Sequence, residues 1–190
     1  MIFEKILPFA RTLLTKSLSA GSIAIDATIG NGHDTAFLAT LVGDDGHVFG
    51  FDIQQEALDN TKERLASAHL LERVTLFRKG HEHIKETIPL PFHQKVQAAI
   101  FNLGYLPGSD KKIVTQPETT IAAINQLLDI MAPNGVIVLV IYHGHKEGKV
   151  ERDALLRYTQ TIDQQLAQVL KYEFINQKNN PPFIIAIEKK

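Results

Sequence analysis

Cysteine is absent from this chain. That removes disulfides and thiolate metal sites, and makes a reducing, cytoplasmic setting the expectation. Neither sign of charge dominates: 20 Lys and Arg face 21 Asp and Glu, for a net charge of −1 and a pI near 6.7. A whole-protein basic field of the kind that gathers nucleic acid is therefore lacking, so any RNA must meet a local patch. Long hydrophobic runs are missing too, and no segment has the length that crosses a bilayer. The opening MIFEKILPFARTLLTKSL has no basic region leading into an unbroken apolar core, so no secretion signal is expected. What remains is ordinary globular composition, 44% hydrophobic and 22% charged, in 190 residues, the length of one domain.

Short apolar runs alternate with longer amphipathic ones. The runs Ser22–Ala27, His47–Asp52, Val74–Arg78, Val96–Asn102, Val136–Tyr142, Val169–Ile175 and Phe183–Glu188 read as strands. Several are β-branched with little alternation, as when helices cover both faces of a parallel sheet. Helices are expected from Pro8 to near Ser19, over Asp34–Val42 and Gln54–Leu70, from a capping box of Thr115 with Glu118 to a stop at Pro133–Gly135, and over Lys149–Gln165. Strand and helix in turn predict a doubly wound α/β domain. The last two strands follow one another without a helix, which predicts an antiparallel hairpin.

Chemistry gathers first at DATIGNGHDT, residues 26–35, between the first strand and a helix. Ligands of such sheets bind beyond the carboxyl ends of the strands where strand order reverses. Gly30 and Gly32 free the backbone for a close turn. The dinucleotide fingerprint fails, because Thr35 stands where its third glycine belongs. The pattern D-x-T-x-G-x-G from Asp26 to Gly32 resembles instead the first motif of class I S-adenosylmethionine-dependent methyltransferases. That likeness makes Asp26, Thr28, Gly30, Asn31, Gly32, Asp34 and Thr35 candidate cofactor residues. Asp52, twenty positions after Gly32, ends the second strand where a carboxylate accepts from ribose hydroxyls. Ile53 and Gln54 follow it, with Ile53 expected against the adenine, and His81 after the third strand is the candidate flanking that ring.

Asn102-Leu103-Gly104-Tyr105 ends the fourth strand. It resembles the (Asp/Asn/Ser)-Pro-Pro-aromatic motif of methyltransferases acting on exocyclic amines, with both prolines replaced. Asn102 is the candidate that orients an amine, and Tyr105 one that packs on a ring. The residues between Leu103 and Thr115 form a long connection, typical of binding loops and lids. After the fifth strand, IYHGHKEGK carries His143 and His145; no third ligand follows at a recognisable spacing, so no metal is expected. Tyr142 and His143 belong at the crevice mouth, as substrate contacts or proton acceptors.

Together DATIGNGHDT, FDIQ, Gly80-His81, FNLGYLPGSDK, YHGHKEGK and NNPP resemble one bacterial family, the rRNA methylase or tRNA 5-(aminomethyl)uridine wobble methyltransferase (MnmM-like) group. The resemblance runs from about Ser22 to Pro182. Where some members continue the histidine motif with glycines, this chain has Lys146, Glu147 and Gly148. It implies a Rossmann-like, seven-stranded, mostly parallel sheet ending in an antiparallel hairpin, with helices on both faces. It implies S-adenosyl-L-methionine as methyl donor, S-adenosyl-L-homocysteine (SAH) as product and no metal. The implied reaction converts 5-aminomethyl-(2-thio)uridine at the tRNA wobble position to its methylaminomethyl form, with a tRNA anticodon stem-loop as partner and a homodimer open. Lys111, Lys112, Lys146, Lys149 and Arg152 are candidate phosphate contacts, and His145 another substrate contact. Methylation of rRNA or of a small-molecule amine, and a non-catalytic nucleotide-binding module, are the competing readings.

Overall fold

The computed structural model describes residues 2–104, 115–144 and 146–190, with Lys146 described in its backbone only. Strands β1 (Ile23–Asp26), β2 (His47–Asp52), β3 (Val74–Arg78), β4 (Val96–Leu103), β5 (Met131–Ile141), β6 (Ala167–Tyr172) and β7 (Phe183–Lys189) form one sheet in the order β3-β2-β1-β4-β5-β7-β6. β1 to β5 are parallel; β7 runs antiparallel between β5 and β6, as the missing helix predicted.

Successive side chains of a strand point to opposite faces, and each face has its own core. Ile23, Ile25, Phe49, Phe51 and Phe101 face α5 (Pro117–Ile130) and α6 (Lys146–Thr159), meeting Ile124, Leu127 and Leu155. Ala24, Val48, Ala98 and Ile100 face α1 (Ile6–Ser17), α2 (His33–Val42) and α3 (Gln55–Ser67), meeting Leu14, Leu38 and Leu65. Small residues on the second face, Ala24 and Ala98, let α1 and α2 approach the sheet. Each such Leu, Ile or Phe withdrawn from water stabilises the fold by roughly 1.5–3 kcal/mol. The ring of Phe9 stacks on Tyr172 at 4.0 Å, tying α1 to the hairpin.

Several boundaries differ from the sequence pattern, among them the stop expected at Pro133–Gly135: α5 ends at Ile130, and those residues lie in β5, which starts at Met131. Pro8 is the third residue of α1, still inside the first turn, where its missing N–H costs no helical bond. The capping box does not form: Gln116 is the N-cap of α5, without a side-chain cap bond, and the Thr115 hydroxyl donates to Glu151 Oε2 at 2.5 Å. α6 spans Lys146–Thr159 rather than Lys149–Gln165, because the chain turns directly after it, where the N–H and hydroxyl of Thr161 both donate to Tyr158 O. A one-turn helix, α4 (Ile84–Thr87), is too short to show a helical period and was not expected. β6 also ends earlier than the apolar alternation, at Tyr172.

Candidate functional site

β1 and β4 are neighbours, and the strand order reverses between them. Beyond their carboxyl ends opens a crevice of about 1400 Å³. The turn after β1 crosses it. Ala27 N–H donates to Ile100 O and Ile29 N–H to Phe51 O, at 2.9 and 3.1 Å, so the turn is stitched to both neighbouring strands. Gly30 and Gly32 take φ values of 55° and 74°, the left-handed region open to glycine. A Cβ on Gly32 would lie 2.6 Å from Thr61 Oγ1, so this glycine is also what lets α3 close on the turn.

Asp26, Gly32 and Thr35, expected at the cofactor, are not among the residues lining the crevice. Asp26 is fully buried: Oδ2 accepts from the Thr35 hydroxyl at 2.6 Å and Oδ1 from Thr28 N–H at 3.2 Å. Burial pushes its carboxyl up to about 7, against the Thr35 bond. These residues shape the turn from behind. Thr28, Gly30, Asn31 and Asp34 form the wall itself. Arg64 Nε donates to Asn31 O at 2.8 Å, fixing that peptide from α3.

Asp52, Ile53, Gln54 and His81 line the crevice as the sequence placed them. Asp52 Oδ2 accepts from Gly30 N–H and Oδ1 from Gln54 N–H, both at 3.0 Å, which orients the carboxylate and leaves lone pairs for a further donor. Ile53 is 56% exposed, a large apolar side chain on the crevice wall. His81 is buried against the edge of Phe101. Its Nδ1 lies 3.1 Å from Ala27 O, and a carbonyl only accepts, so Nδ1 carries the proton. Nε2 is then a bare acceptor, buried and without a partner among the described residues. Burial lowers the ring's pKa, keeping it neutral.

Asn102 occupies the wall at the end of β4. Its backbone N–H donates to Thr28 Oγ1 at 2.7 Å, and Nδ2 to Asp34 Oδ2 at 2.9 Å. Arg11 from α1 donates to Asp34 Oδ1 at 3.3 Å. On the neighbouring strand, Tyr142 and His143 follow β5, with Tyr142 N–H donating to Leu103 O at 3.1 Å. Burial, with the charge of Asp34, raises the Tyr142 phenol, so this side chain stays protonated and is ill suited to accept a proton. His143 is buried beside Phe183, its pKa lowered by burial and then by the charge of Arg152.

The connection after β4 is pinned at both ends. Thr115 N–H donates to Gly104 O and Gly104 N–H to Thr115 Oγ1, both at 3.1 Å. Glu151 on α6, itself buried, accepts from the hydroxyls of Thr115 and Thr120. Tyr105, Lys111, Lys112 and His145 lie outside the described residues, as does the side chain of Lys146. Lys149 is exposed on α6 and is not on the described wall; Arg152 is bonded to Asp153 Oδ1 at 2.7 Å. Among the described residues no three His, Asp or Glu cluster as metal ligands. Sequence reasoning missed Leu7, Pro8 and Arg11 on the wall, along with Thr119. The elements that bring them there are far apart in the chain, and no local pattern marks them.

The comparisons with known proteins agree with this geometry. The family model described as "Putative rRNA methylase" matches residues 48–188. A chloroplast protein of Arabidopsis thaliana, tRNA (mnm(5)s(2)U34)-methyltransferase, is 30% identical over 98% of this chain and 70% of its own length. A crystal structure of a "putative rRNA-methylase" from Clostridium thermocellum superposes with a TM-score of 0.95 at 41% identity, covering all of both chains. A "putative methyltransferase" from Streptococcus mutans, solved in complex with SAH, does so with a TM-score of 0.89 at 37% identity, again over both whole chains. Sheet order, glycine turn and these matches coincide, and the chain belongs to the "Putative rRNA methylase" family, with the fold of the class I S-adenosylmethionine-dependent methyltransferases.

Proposed function

We propose that this protein is an S-adenosylmethionine-dependent RNA methyltransferase that converts 5-aminomethyl-(2-thio)uridine at the tRNA wobble position to the methylaminomethyl form. The observation that carries the reading is Asn102. It stands at the crevice wall, bonded to Thr28 of the glycine turn, in a chain related along 98% of its length to a tRNA (mnm(5)s(2)U34)-methyltransferase.

The wall fits the cofactor by its donor set. Asp52 would take the ribose hydroxyls, Ile53 the face of the adenine, and the unpartnered Nε2 of His81 a donor of the same nucleoside. When bound, S-adenosylmethionine supplies a methyl group activated by a sulfonium leaving group. The chain's own share is then alignment and proton handling. A primary alkylamine has a pKa near that of lysine, roughly 10, and must lose a proton to become a nucleophile. Asn102 holds the neutral amine through an N–H and leaves its lone pair free. Of the two groups after β5, Tyr142 stays a phenol, which leaves the His143 imidazole as the candidate to take the proton.

The test is methyl transfer from labelled cofactor to tRNA carrying or lacking the 5-aminomethyl group. Label on the first alone is the expected result, and equal label on both rejects this target. Transfer to small amines without tRNA would place the substrate among metabolites instead. Asn102→Ala is expected to cut kcat by about 100-fold or more, with SAH affinity retained by calorimetry.

A further inference from the structure

An asparagine amide has a donor end and an acceptor end, and which one faces a ligand decides what it binds. At Asn102 the choice is made by its neighbour. An ionised carboxylate only accepts, so Asp34 Oδ2, at 2.9 Å, requires Nδ2 on its side. Turning the amide over would set Asn102 Oδ1 against that oxygen and exchange an attraction for a repulsion. Asp34 is itself held: Arg11 donates to its other oxygen at 3.3 Å, and the guanidinium lies 4.8 Å over the ring of Phe37. The backbone of Asn102 is fixed separately by Thr28. Among the described residues nothing donates to Asn102 Oδ1, and Asn102, Asp34 and Arg11 all line the crevice.

We propose that Asp34, braced by Arg11, is a positioning residue that fixes the amide of Asn102 with its oxygen toward the acceptor, so that the site selects a nucleophile bearing an N–H. The inference rests on the reading of Asn102 as the group that meets the amine. It assigns α1 a part in that selection, through Arg11. The isosteric change Asp34→Asn makes a sharp test. Arg11 has donors only and claims the one oxygen of the new amide. The new NH2 group then faces Asn102 and draws Oδ1 toward itself, inverting the amide and presenting a donor to the amine.

The experiment compares wild type, Asp34→Asn, Asn102→Ala and the double variant by kcat on aminomethyl tRNA, SAH affinity, thermal midpoint and the side-chain amide NMR signal of Asn102. The expected result is a loss of kcat of about 10- to 100-fold in Asp34→Asn. SAH affinity should hold within about threefold, and in the Asn102→Ala background the same change should cost less than about twofold. The Asn102 amide signal should move in Asp34→Asn. An unchanged kcat, a full-sized loss in the Asn102→Ala background, an SAH affinity falling in step with kcat, or an unmoved amide signal would each overturn the proposal. If wild type leaves aminomethyl tRNA unlabelled while the amide signal moves, the substrate assignment fails and the positioning by Asp34 stands.

Discussion

Replacing Asp26 by Asn is expected to flatten the pH dependence of stability. The carboxyl is fully buried behind the cofactor turn, and burial pushes it from an ordinary 3.8 up to about 7, with the Thr35 and Thr28 bonds pulling downward and the charges of Asp34 and Asp52 pushing upward. Between those two values the folded chain keeps a proton that the unfolded chain has released. The stability this group lends is therefore full below the unfolded pKa and is lost as pH rises through the folded one. From about pH 5 to about pH 8 the loss comes to roughly 2–3 kcal/mol, equivalent to several degrees in thermal midpoint. Asparagine keeps both local bonds: its oxygen accepts from Thr28 N–H and its NH2 donates to the Thr35 hydroxyl oxygen. It carries no charge to strip of water. His81 and His143 act in the opposite sense, since burial lowers their pKa values and stability gained from their neutral forms rises with pH. The difference between wild type and variant cancels that contribution. Urea unfolding of both proteins at the two pH values measures it. The reasoning is refuted if both change equally, or if wild type gains on the variant as pH rises.

Three further outcomes follow from named contacts. Gly32→Ala places a Cβ 2.6 Å from Thr61 Oγ1 at a φ of 74°; it should destabilise the fold by about 1–3 kcal/mol and weaken SAH binding, and an unchanged unfolding midpoint would contradict it. Asp52→Ala removes the acceptor of Gly30 and Gln54 N–H together with the expected ribose partner. Calorimetry should show SAH affinity lower by about 10- to 100-fold, and wild-type affinity would remove Asp52 from the cofactor site. Glu151→Ala deprives the Thr115 and Thr120 hydroxyls of their acceptor at the root of the loop after β4. It should cost about 2–4 kcal/mol in urea and reduce kcat more than SAH affinity, whereas the reverse order would show that this end of the crevice serves the cofactor.

Much of this protein was legible without its structure, for a physical reason that can be named. The strands are short apolar runs whose neighbours in sequence are amphipathic helices, and the hairpin is a strand followed by another strand; both are local patterns. The glycine turn and Asp52 lie at strand ends, so their meeting followed from a parallel sheet, and the bond from Gly30 N–H to Asp52 realises it. Local pattern misled where a side chain had a better partner at long range. Thr115 with Glu118 reads as a capping box, yet Thr115 bonds to Glu151, 36 residues away. Asp26 reads as a cofactor ligand, yet it is fully buried behind the turn, bonded to Thr28 and Thr35, and does not line the crevice. The sequence alone determined the kind of sheet and which strand ends would border the crevice. Only the tertiary structure decided that Arg11 and Asp34, one on α1 and the other on α2, would settle which end of Asn102 faces the crevice. Such choices are made by hydrogen-bond polarity between segments that the chain's own order keeps apart.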